Sequence, residues 1–313
     1  MKILLTGSKG QLGKALIKLK PPYTKIYAMD RSNFDMLDIP SCLKSIKTIN
    51  PDWIINCGAY TNVDLAESEE EIAMKVNFHA PKAFAEEIKT LGGRFLQIST
   101  DYVFDGEKKI HTPYLTSEKR SPLGIYGISK ASAEEALEDI FQNSFQGIIL
   151  RTSWLIGPVG KNFLLTILNL HLKNKEIKVV NDQIGSPTST FSLAKVCWMI
   201  IFLKEFKLIF SQNKNRILHW QDNGETNWYE IALKISALGR EIGLIKNNPK
   251  IIPIKTSQFP SLARRPSYSV LDCKLTKSLL NYEGMDWEAT LKEILKKMEI
   301  DDKNSYSSKS KFK

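Results

Sequence analysis

The 313-residue sequence has few cysteines and histidines and no long apolar stretch. Its four cysteines and four histidines stand singly and far apart, which argues against a disulfide framework and against a metal cluster. The longest apolar run, 196–203, is far shorter than the roughly 20 residues of a membrane helix. The apolar run before the first glycine has three residues, 3–5, too few for the core of a secretory signal. These absences predict a cytoplasmic protein with reduced thiols and no membrane partner.

Acidic residues become scarce in the second half of the chain. Residues 1–150 carry 18 Lys and Arg against 19 Asp and Glu, whereas residues 151–313 carry 26 against 15. A basic half indicates an anionic partner, which can be a nucleic acid, a membrane surface or a small phosphorylated molecule. The lysines are dispersed, and no nucleic-acid-binding module is recognisable. We therefore expect no nucleic-acid partner and favour a small phosphorylated ligand.

Short β-branched segments alternate with helical patterns over the first 220 residues. This order predicts an α/β fold, a Rossmann-type doubly wound parallel sheet with helices on both faces. Later the alternation loosens, which predicts a smaller C-terminal α/β lobe. The sheet domain is expected at 1–153 with returning segments near 176–220, the lobe at 154–175 and 221–300, and a disordered tail at 301–313. The main predicted strands are 2–6, 25–30, 52–56, 94–99, 147–153, 176–180 and 217–220, and the main predicted helices are 11–19, 39–49, 70–76, 81–91, 129–141, 161–172 and 192–206.

A glycine-rich turn joins the first strand to the first helix. Gly7, Gly10 and Gly13 allow a tight turn, close approach of the backbone to a pyrophosphate, and close packing of helix on strand. The free N–H groups at the start of such a helix attract phosphate. Asp30 ends the second strand 23 positions after Gly7, near the usual spacing of a carboxylate that binds ribose. Asp30 favours NAD, whereas the adjacent Arg31 could neutralise the 2′-phosphate of NADP, so the sequence leaves the choice between NADH and NADPH open.

A tyrosine and a lysine four residues apart, Tyr126 and Lys130, lie on one face of a predicted helix. A tyrosine needs a nearby cation to act as an acid–base group near neutral pH. Thr100 follows the strand 94–99, and ligands of open α/β sheets bind beyond the carboxyl ends of the strands. Thr100 and Tyr126 are therefore candidates to hold a substrate oxygen. The alternative is that Thr100 only caps a strand and that Tyr126 only packs.

Together these segments resemble the extended short-chain dehydrogenase/reductase superfamily and, within it, the dTDP-4-dehydrorhamnose reductase family. The glycine turn and the Tyr/Lys pair are typical of the whole superfamily. Three strings are more specific: Thr-Asp-Tyr-Val-Phe at 100–104, Asp-Gln-Ile-Gly-Ser-Pro-Thr at 182–188 and Arg-Arg-Pro at 264–266. The resemblance extends from about residue 3 to residue 298.

The resemblance implies a role for each matching position. In the cofactor site, Gly10, Gln11 and Leu12 would contact the pyrophosphate, Asp30 the adenosine ribose, Asp38 and Ile39 the adenine, and Ala59, Tyr60 and Thr61 would line the cofactor path. Tyr126 would donate a proton, Lys130 would bind the nicotinamide ribose and lower the pKa of Tyr126, and Thr100 would complete the catalytic set. Asp101, Tyr102 and Trp154 would contact the substrate, with Arg264 and Arg265 placed to meet its diphosphate.

The implied reaction is reduction of the C4 ketone of dTDP-4-dehydro-L-rhamnose by NADPH or NADH. Some members of the family bind Mg²⁺, for which no carboxylates can be placed in this sequence, and the family suggests a homodimer. Two alternatives remain open: another sugar-nucleotide reductase or epimerase of the superfamily, and a non-catalytic regulatory subunit of the methionine adenosyltransferase type. A dehydratase is disfavoured, because such enzymes carry Asp-Glu after the threonine and this chain has Asp101-Tyr102.

Overall fold

The computed structural model describes residues 1–108, 112–173, 175–204, 206 and 216–309, with side chains as far as residue 298. The strands are β1 (Lys2–Thr6), β2 (Lys25–Ala28), β3 (Trp53–Asn56), β4 (Arg94–Thr100), β5 (Gly147–Thr152), β6 (Leu155–Ile156), β7 (Glu176–Val180), β8 (Ile184–Gly185), β9 (Thr188–Ser189), β10 (Ile217–His219), β11 (Thr226–Asn227) and β12 (Lys250–Ile254). The α-helices are α1 (Gln11–Lys18), α2 (Ile39–Ile49), α3 (Val63–Ala66), α4 (Glu70–Met74), α5 (Ala80–Thr90), α6 (Ile125–Phe141), α7 (Phe163–Lys173), α8 (Thr190–Ile201), α9 (Trp228–Glu241), α10 (Lys274–Leu280) and α11 (Trp287–Lys309). A π-helix (Lys75–His79) and two 3₁₀ turns (Asp101–Val103 and Thr256–Gln258) complete the described elements.

Six parallel strands form the central sheet in the order β10-β5-β4-β3-β1-β2. Successive strand residues point to opposite faces, so that Leu4 packs with α2 and α5 while Leu5 packs with α1 and α8. Because helices cover both faces, β3 and β5 are buried along their whole length. The predicted doubly wound Rossmann-type sheet is confirmed.

The smaller C-terminal lobe has its own apolar core, built from α7, α9 and α11 around β7 and β12. The sequence pattern predicts that 176–180 is among the segments that return to the central sheet, but β7 pairs in parallel with β12 in this lobe. Local patterning does not specify which sheet a strand joins. Later in this range α8 packs on the face of the central sheet, and β10 joins the sheet beside β5. No helix within the described ranges is long and apolar enough to cross a membrane.

Many element ends differ from the predicted ones, and three of these differences concern a functional candidate or the tail. The helix that bears the Tyr/Lys pair begins at Ile125 rather than at residue 129, so Tyr126 lies in its first turn. β2 ends at Ala28, which leaves Asp30 in the following turn. The tail predicted to be disordered continues α11 as helix to Lys309, and residues 310–313 lie outside the described part of the chain.

Candidate active site

The turns after β1 and β3 meet where the strand order of the sheet reverses, which is where open α/β sheets bind ligands. Gly7 has a φ of +64°, and a Cβ on it would lie 2.8 Å from the amide nitrogen of Gly58. The hydroxyl of Thr6 joins the two turns, since it donates to Asn56 Oδ1 at 2.6 Å and accepts from the N–H of Gly58 at 2.9 Å. The backbone on both sides of this crevice is therefore fixed.

The glycine turn leaves the start of α1 open to an anion. Gly10 is the N-cap residue, and no side chain caps the helix. A Cβ on Gly13 would lie 2.3 Å from the carbonyl oxygen of Gly7, so the helix packs against its own turn. The buried side chain of Leu12 belongs to the core, which leaves its backbone amide for a ligand. An uncapped helix start behind a glycine turn fits a dinucleotide pyrophosphate.

Gln11 connects the glycine turn to the second lobe. Its Nε2 donates to the carbonyl oxygen of Lys161 at 3.2 Å, and its Oε1 accepts from Asn162 at 2.7 Å. The Asn162 side chain also donates to the carbonyl oxygen of Gly157 at 2.9 Å. The side chain of Gln11 therefore holds the two lobes together beside the predicted pyrophosphate position.

The ribose candidate Asp30 already has partners on both carboxylate oxygens. Lys9 lies 2.8 Å from Oδ2, and the amide and hydroxyl of Ser32 donate to Oδ1 at 2.8 Å and 2.5 Å. Hydrogen bonds from Lys9 and then Ser32 lower the pKa of Asp30 to about 2. Arg31 is exposed and lies 4.0 Å from Asp35. Sequence reasoning missed Lys9, although a lysine inside a glycine turn next to the ribose carboxylate was visible.

The adenine candidates Asp38 and Ile39 form the start of α2. Asp38 caps this helix by accepting from the N–H of Ser41 at 3.2 Å, and Ile39 is the first residue of the helix. Capping is the role that the structure gives to the Asp38 carboxylate, and adenine contact stays a prediction for both residues.

The turn after β3 is bonded to the helix that carries the Tyr/Lys pair. Asn77 accepts from the N–H of Tyr60 at 2.8 Å and donates both to its carbonyl oxygen and to Ser129 Oγ, each at 3.0 Å. The Tyr60 hydroxyl donates to Glu69 at 2.6 Å. Ala59 and Thr61 flank Tyr60 in the same turn. Sequence reasoning missed Asn77, because nothing local indicated the π-helix that turns its side chain inward.

The three catalytic candidates converge at the carboxyl end of β4. Thr100 ends that strand, its hydroxyl donates to Asp101 Oδ1 at 3.1 Å, and Thr100 opposes the rise in the pKa of the neighbouring Tyr126 phenol. Lys130 is buried, and its Nζ donates to the carbonyl oxygen of Ile98 at 2.7 Å. The start of α6 is held by Glu67, whose carboxylate accepts from the N–H of Ile125 at 2.9 Å. The predicted catalytic set is thus assembled in one place.

Burial dominates the protonation of these groups. It raises the pKa of Tyr126 to about 12, with the charge of Asp101 acting in the same direction. Burial lowers the pKa of Lys130 to about 8, although the charge of Glu134 opposes this shift. The lowering of the Tyr126 pKa by Lys130 that the resemblance implies stays a prediction. At neutral pH Tyr126 keeps its proton, which suits a proton donor.

Asp101 is an acid enclosed in the same cleft. Its side chain is 2% exposed, and its Oδ2 has no hydrogen-bond partner among the described residues. Burial raises its pKa to about 6. A neutral or ionised carboxyl at this position, next to Thr100, can hydrogen-bond a polyhydroxylated ligand.

The two predicted arginines have different surroundings. Arg264 is exposed and lies 3.6 Å from Glu107. Arg265 forms a 2.7 Å ion pair with Asp64, on α3. Burial would raise the pKa of Asp64, but hydrogen bonds from Arg265 and from the neighbouring loop lower it to about 2. Arg265 therefore ties the loop at 261–266 to the sheet domain, and diphosphate contact stays a prediction for both arginines.

Two aromatic candidates flank the catalytic set. Tyr102 lies in the 3₁₀ turn after β4, and its ring meets that of Tyr126 edge-on at 5.6 Å. Trp154 follows β5, the neighbour of β4, and is partly exposed. Within the described ranges no three His, Cys, Asp or Glu side chains come together as a metal site, so nothing supports Mg²⁺.

Both the sequence and the fold resemble those of known proteins. The family model of the RmlD substrate binding domain matches residues 1–300. A dTDP-4-dehydrorhamnose reductase of Aggregatibacter actinomycetemcomitans is 36% identical over 296 residues, covering 94% of this chain and 98% of that protein. The crystal structure of a dTDP-4-dehydrorhamnose reductase from Clostridium acetobutylicum superposes with a TM-score of 0.83 at 34% identity, covering 95% of this chain and 99% of the other.

A second crystal structure, the enzyme of the same name from Bacillus anthracis in complex with NADP, has a TM-score of 0.82 at 30% identity and covers 95% of this chain and 99% of the other. The family match spans both lobes and all the predicted catalytic residues. The chain belongs to the RmlD family, that of the dTDP-4-dehydrorhamnose reductases.

Proposed function

We propose that this protein reduces the C4 ketone of dTDP-4-dehydro-L-rhamnose to the alcohol of dTDP-L-rhamnose, with NAD(P)H as reductant and Tyr126 as proton donor. The observation that carries the proposal is the meeting of Thr100, Tyr126 and Lys130 beside an open glycine turn. Family membership supports the substrate. Cytoplasmic location and a homodimer remain part of this proposal.

In the cofactor site, backbone N–H groups would make more of the contacts than charged side chains. The amides of Gln11 and Leu12 would bind the pyrophosphate at the start of α1, and Gly10, whose own N–H donates to the Gly7 carbonyl oxygen at 2.9 Å, would let the phosphate approach the backbone. Asp30 and Lys9 would face the adenosine ribose, where the carboxylate suits a 2′-hydroxyl and the ammonium suits a 2′-phosphate. Bound NAD(P)H supplies a hydride to the ketone carbon.

The side chains at the end of β4 handle the ketone oxygen. Thr100 would hydrogen-bond this oxygen and orient the carbonyl. As the oxygen gains negative charge, Tyr126 Oη transfers its proton to it, so the ketone becomes an alcohol. Lys130, freed from Ile98, would hold the nicotinamide ribose and place a positive charge near the tyrosinate that forms.

The decisive experiment follows oxidation of NADPH and NADH with dTDP-4-dehydrorhamnose made in situ by the two preceding enzymes of rhamnose synthesis. We expect one reduced cofactor to be consumed for each ketone. An epimerase regenerates its cofactor and would show no net consumption. A regulatory subunit would show none either and would co-purify with a methionine adenosyltransferase.

Replacing Tyr126 by Phe tests the proton donor. The variant should lose at least about 100-fold in kcat, in line with the usual contribution of general acid catalysis, and should keep its cofactor affinity. Tyr23→Phe is the matched control, since Tyr23 is 99% exposed. Turnover by Tyr126→Phe at the wild-type rate would rule out the assigned role while leaving the reductase activity itself intact.

A further inference from the structure

Trp154 has a backbone conformation that a tryptophan rarely adopts. Its φ is +43°, in the left-handed region. This conformation costs an L-residue roughly 1–2 kcal/mol and persists only where the surroundings impose it. Trp154 lies two residues beyond Thr152, which is the register partner of Thr100 in the neighbouring strand. The strained residue therefore stands at the edge of the sheet that carries the catalytic set.

Two residues of the second half of the chain confine the indole of Trp154. The ring of Trp228 stacks on it, with centroids 3.8 Å apart and planes inclined by 14°. Gly185 lies against its six-membered ring, where a Cβ would be 2.5 Å from Cζ2. Any side chain at Gly185 would displace the indole, so its position depends on both neighbours.

Trp228 is itself firmly anchored. Its Nε1 donates to Gln183 Oε1 at 3.1 Å, and the ring of Phe163 packs on it at 4.6 Å. It is the first residue of α9, which Asn227 caps by accepting from the N–H of Glu230 at 2.9 Å. Trp228, which belongs to the C-terminal lobe, can therefore hold the side chain of Trp154 in a fixed position.

We propose that Trp228 is a positioning residue that holds Trp154 in the sugar-nucleotide cleft, so that the second lobe shapes the substrate subsite. The proposal rests on the proposed function for the identity of the ligand. An indole fixed in this way offers a rigid apolar face to the C–H groups of a sugar ring or to a pyrimidine base. Trp228 would then affect substrate binding without touching the reacting atoms.

The test compares Trp228→Leu, Trp228→Phe, Trp154→Ala and the double variant Trp154→Ala/Trp228→Leu. In Trp228→Leu we expect KM for the sugar nucleotide to rise about fivefold, with kcat and the Kd of NADPH nearly unchanged, since the loss of one stacked aromatic pair is worth about 1 kcal/mol. Trp228→Phe keeps an aromatic ring and should recover most of the affinity. If Trp228 acts through Trp154, the double variant should bind no more weakly than Trp154→Ala alone.

Gly185→Ala provides an independent route to the same displacement and should also raise KM selectively. Leu233→Ala, at an exposed position of α9, is the matched control. Additive effects of the two tryptophan substitutions, or equal losses of sugar-nucleotide and NADPH affinity, would overturn the proposal. Calorimetric titration with dTDP-L-rhamnose gives the same comparison without turnover, so the inference stays testable if the reductase assay is negative.

Discussion

At the scale of single residues, charge around the adenosine ribose is balanced rather than one-sided. Asp30 is ionised and bonded to Lys9 and Ser32, while Arg31 lies in solvent beside it. An isolated carboxylate would repel a 2′-phosphate, but a carboxylate paired with an exposed lysine can exchange that lysine for a hydroxyl. In the sequence, Asp30 favours NADH and Arg31 favours NADPH. Lys9, paired with Asp30, allows the site to accept either cofactor.

Replacing Lys9 by Met should separate the two cofactors. Lys9 is 74% exposed, so its contact with a phosphate is worth only about 1 kcal/mol, and the Kd of NADPH should rise about fivefold. The Kd of NADH should stay constant or fall, because Asp30 then has a free oxygen. Fluorescence titration measures both constants, with Lys14→Met, on the exposed side of α1, as control. Equal weakening of both cofactors would contradict this role.

At the scale of elements, the strand–turn–helix unit β1–α1 shows how much a local pattern can predict. β1 and α2 have the predicted bounds, because a buried apolar run and an Asp38 cap followed by proline are local signals. The sequence did not reveal the role of Asn77, because its partner Ser129 is distant in the chain. It did not reveal the role of Lys9, because this residue and its partner Asp30 lie in separate exposed turns. The same limit explains why β7 was assigned to the central sheet, since its alternating burial is compatible with any sheet that is covered on one face.

Two glycines of this unit should respond differently to alanine. In Gly13→Ala the new Cβ would lie 2.3 Å from the Gly7 carbonyl oxygen, so the helix must shift and the free energy of unfolding should fall by about 1–3 kcal/mol. In Gly10→Ala the same oxygen is 3.1 Å away, so stability should change less while the pyrophosphate loses its close approach. Urea denaturation and NADPH titration separate the two effects. Equal losses of stability would show that the turn adapts as a whole.

At the scale of the whole molecule, polar side chains join the two lobes at several points. Gln11 bonds the 157–162 loop, and Arg265 bonds Asp64. A third link is Asp222, whose Oδ2 accepts from the N–H of Ser189 at 2.8 Å and from Thr290 at 2.9 Å, joining the start of α8 to α11. None of these links could be predicted from spacing alone, because each joins residues that are far apart in the chain.

The buried link at Asp222 should make stability depend on pH. Asp222 is 1% exposed, and its Oδ1 has no hydrogen-bond partner within the described residues. Burial raises its pKa to about 6, so between about pH 4 and pH 6 the folded state binds this proton more tightly than the unfolded state. Its contribution to stability is therefore fully present below pH 4 and is lost as the pH rises through 6.

Comparison of the wild type with Asp222→Asn isolates this contribution. The difference in free energy of unfolding, wild type minus variant, should fall by about 3 kcal/mol from pH 4 to pH 7, since one pKa unit corresponds to about 1.4 kcal/mol. Urea denaturation at each pH measures it, and Asp139→Asn, at an exposed position on α6, should leave the pH dependence unchanged. A constant difference across this range would mean that Asp222 titrates alike in the folded and unfolded chains, and that the link between α8 and α11 does not depend on its protonation.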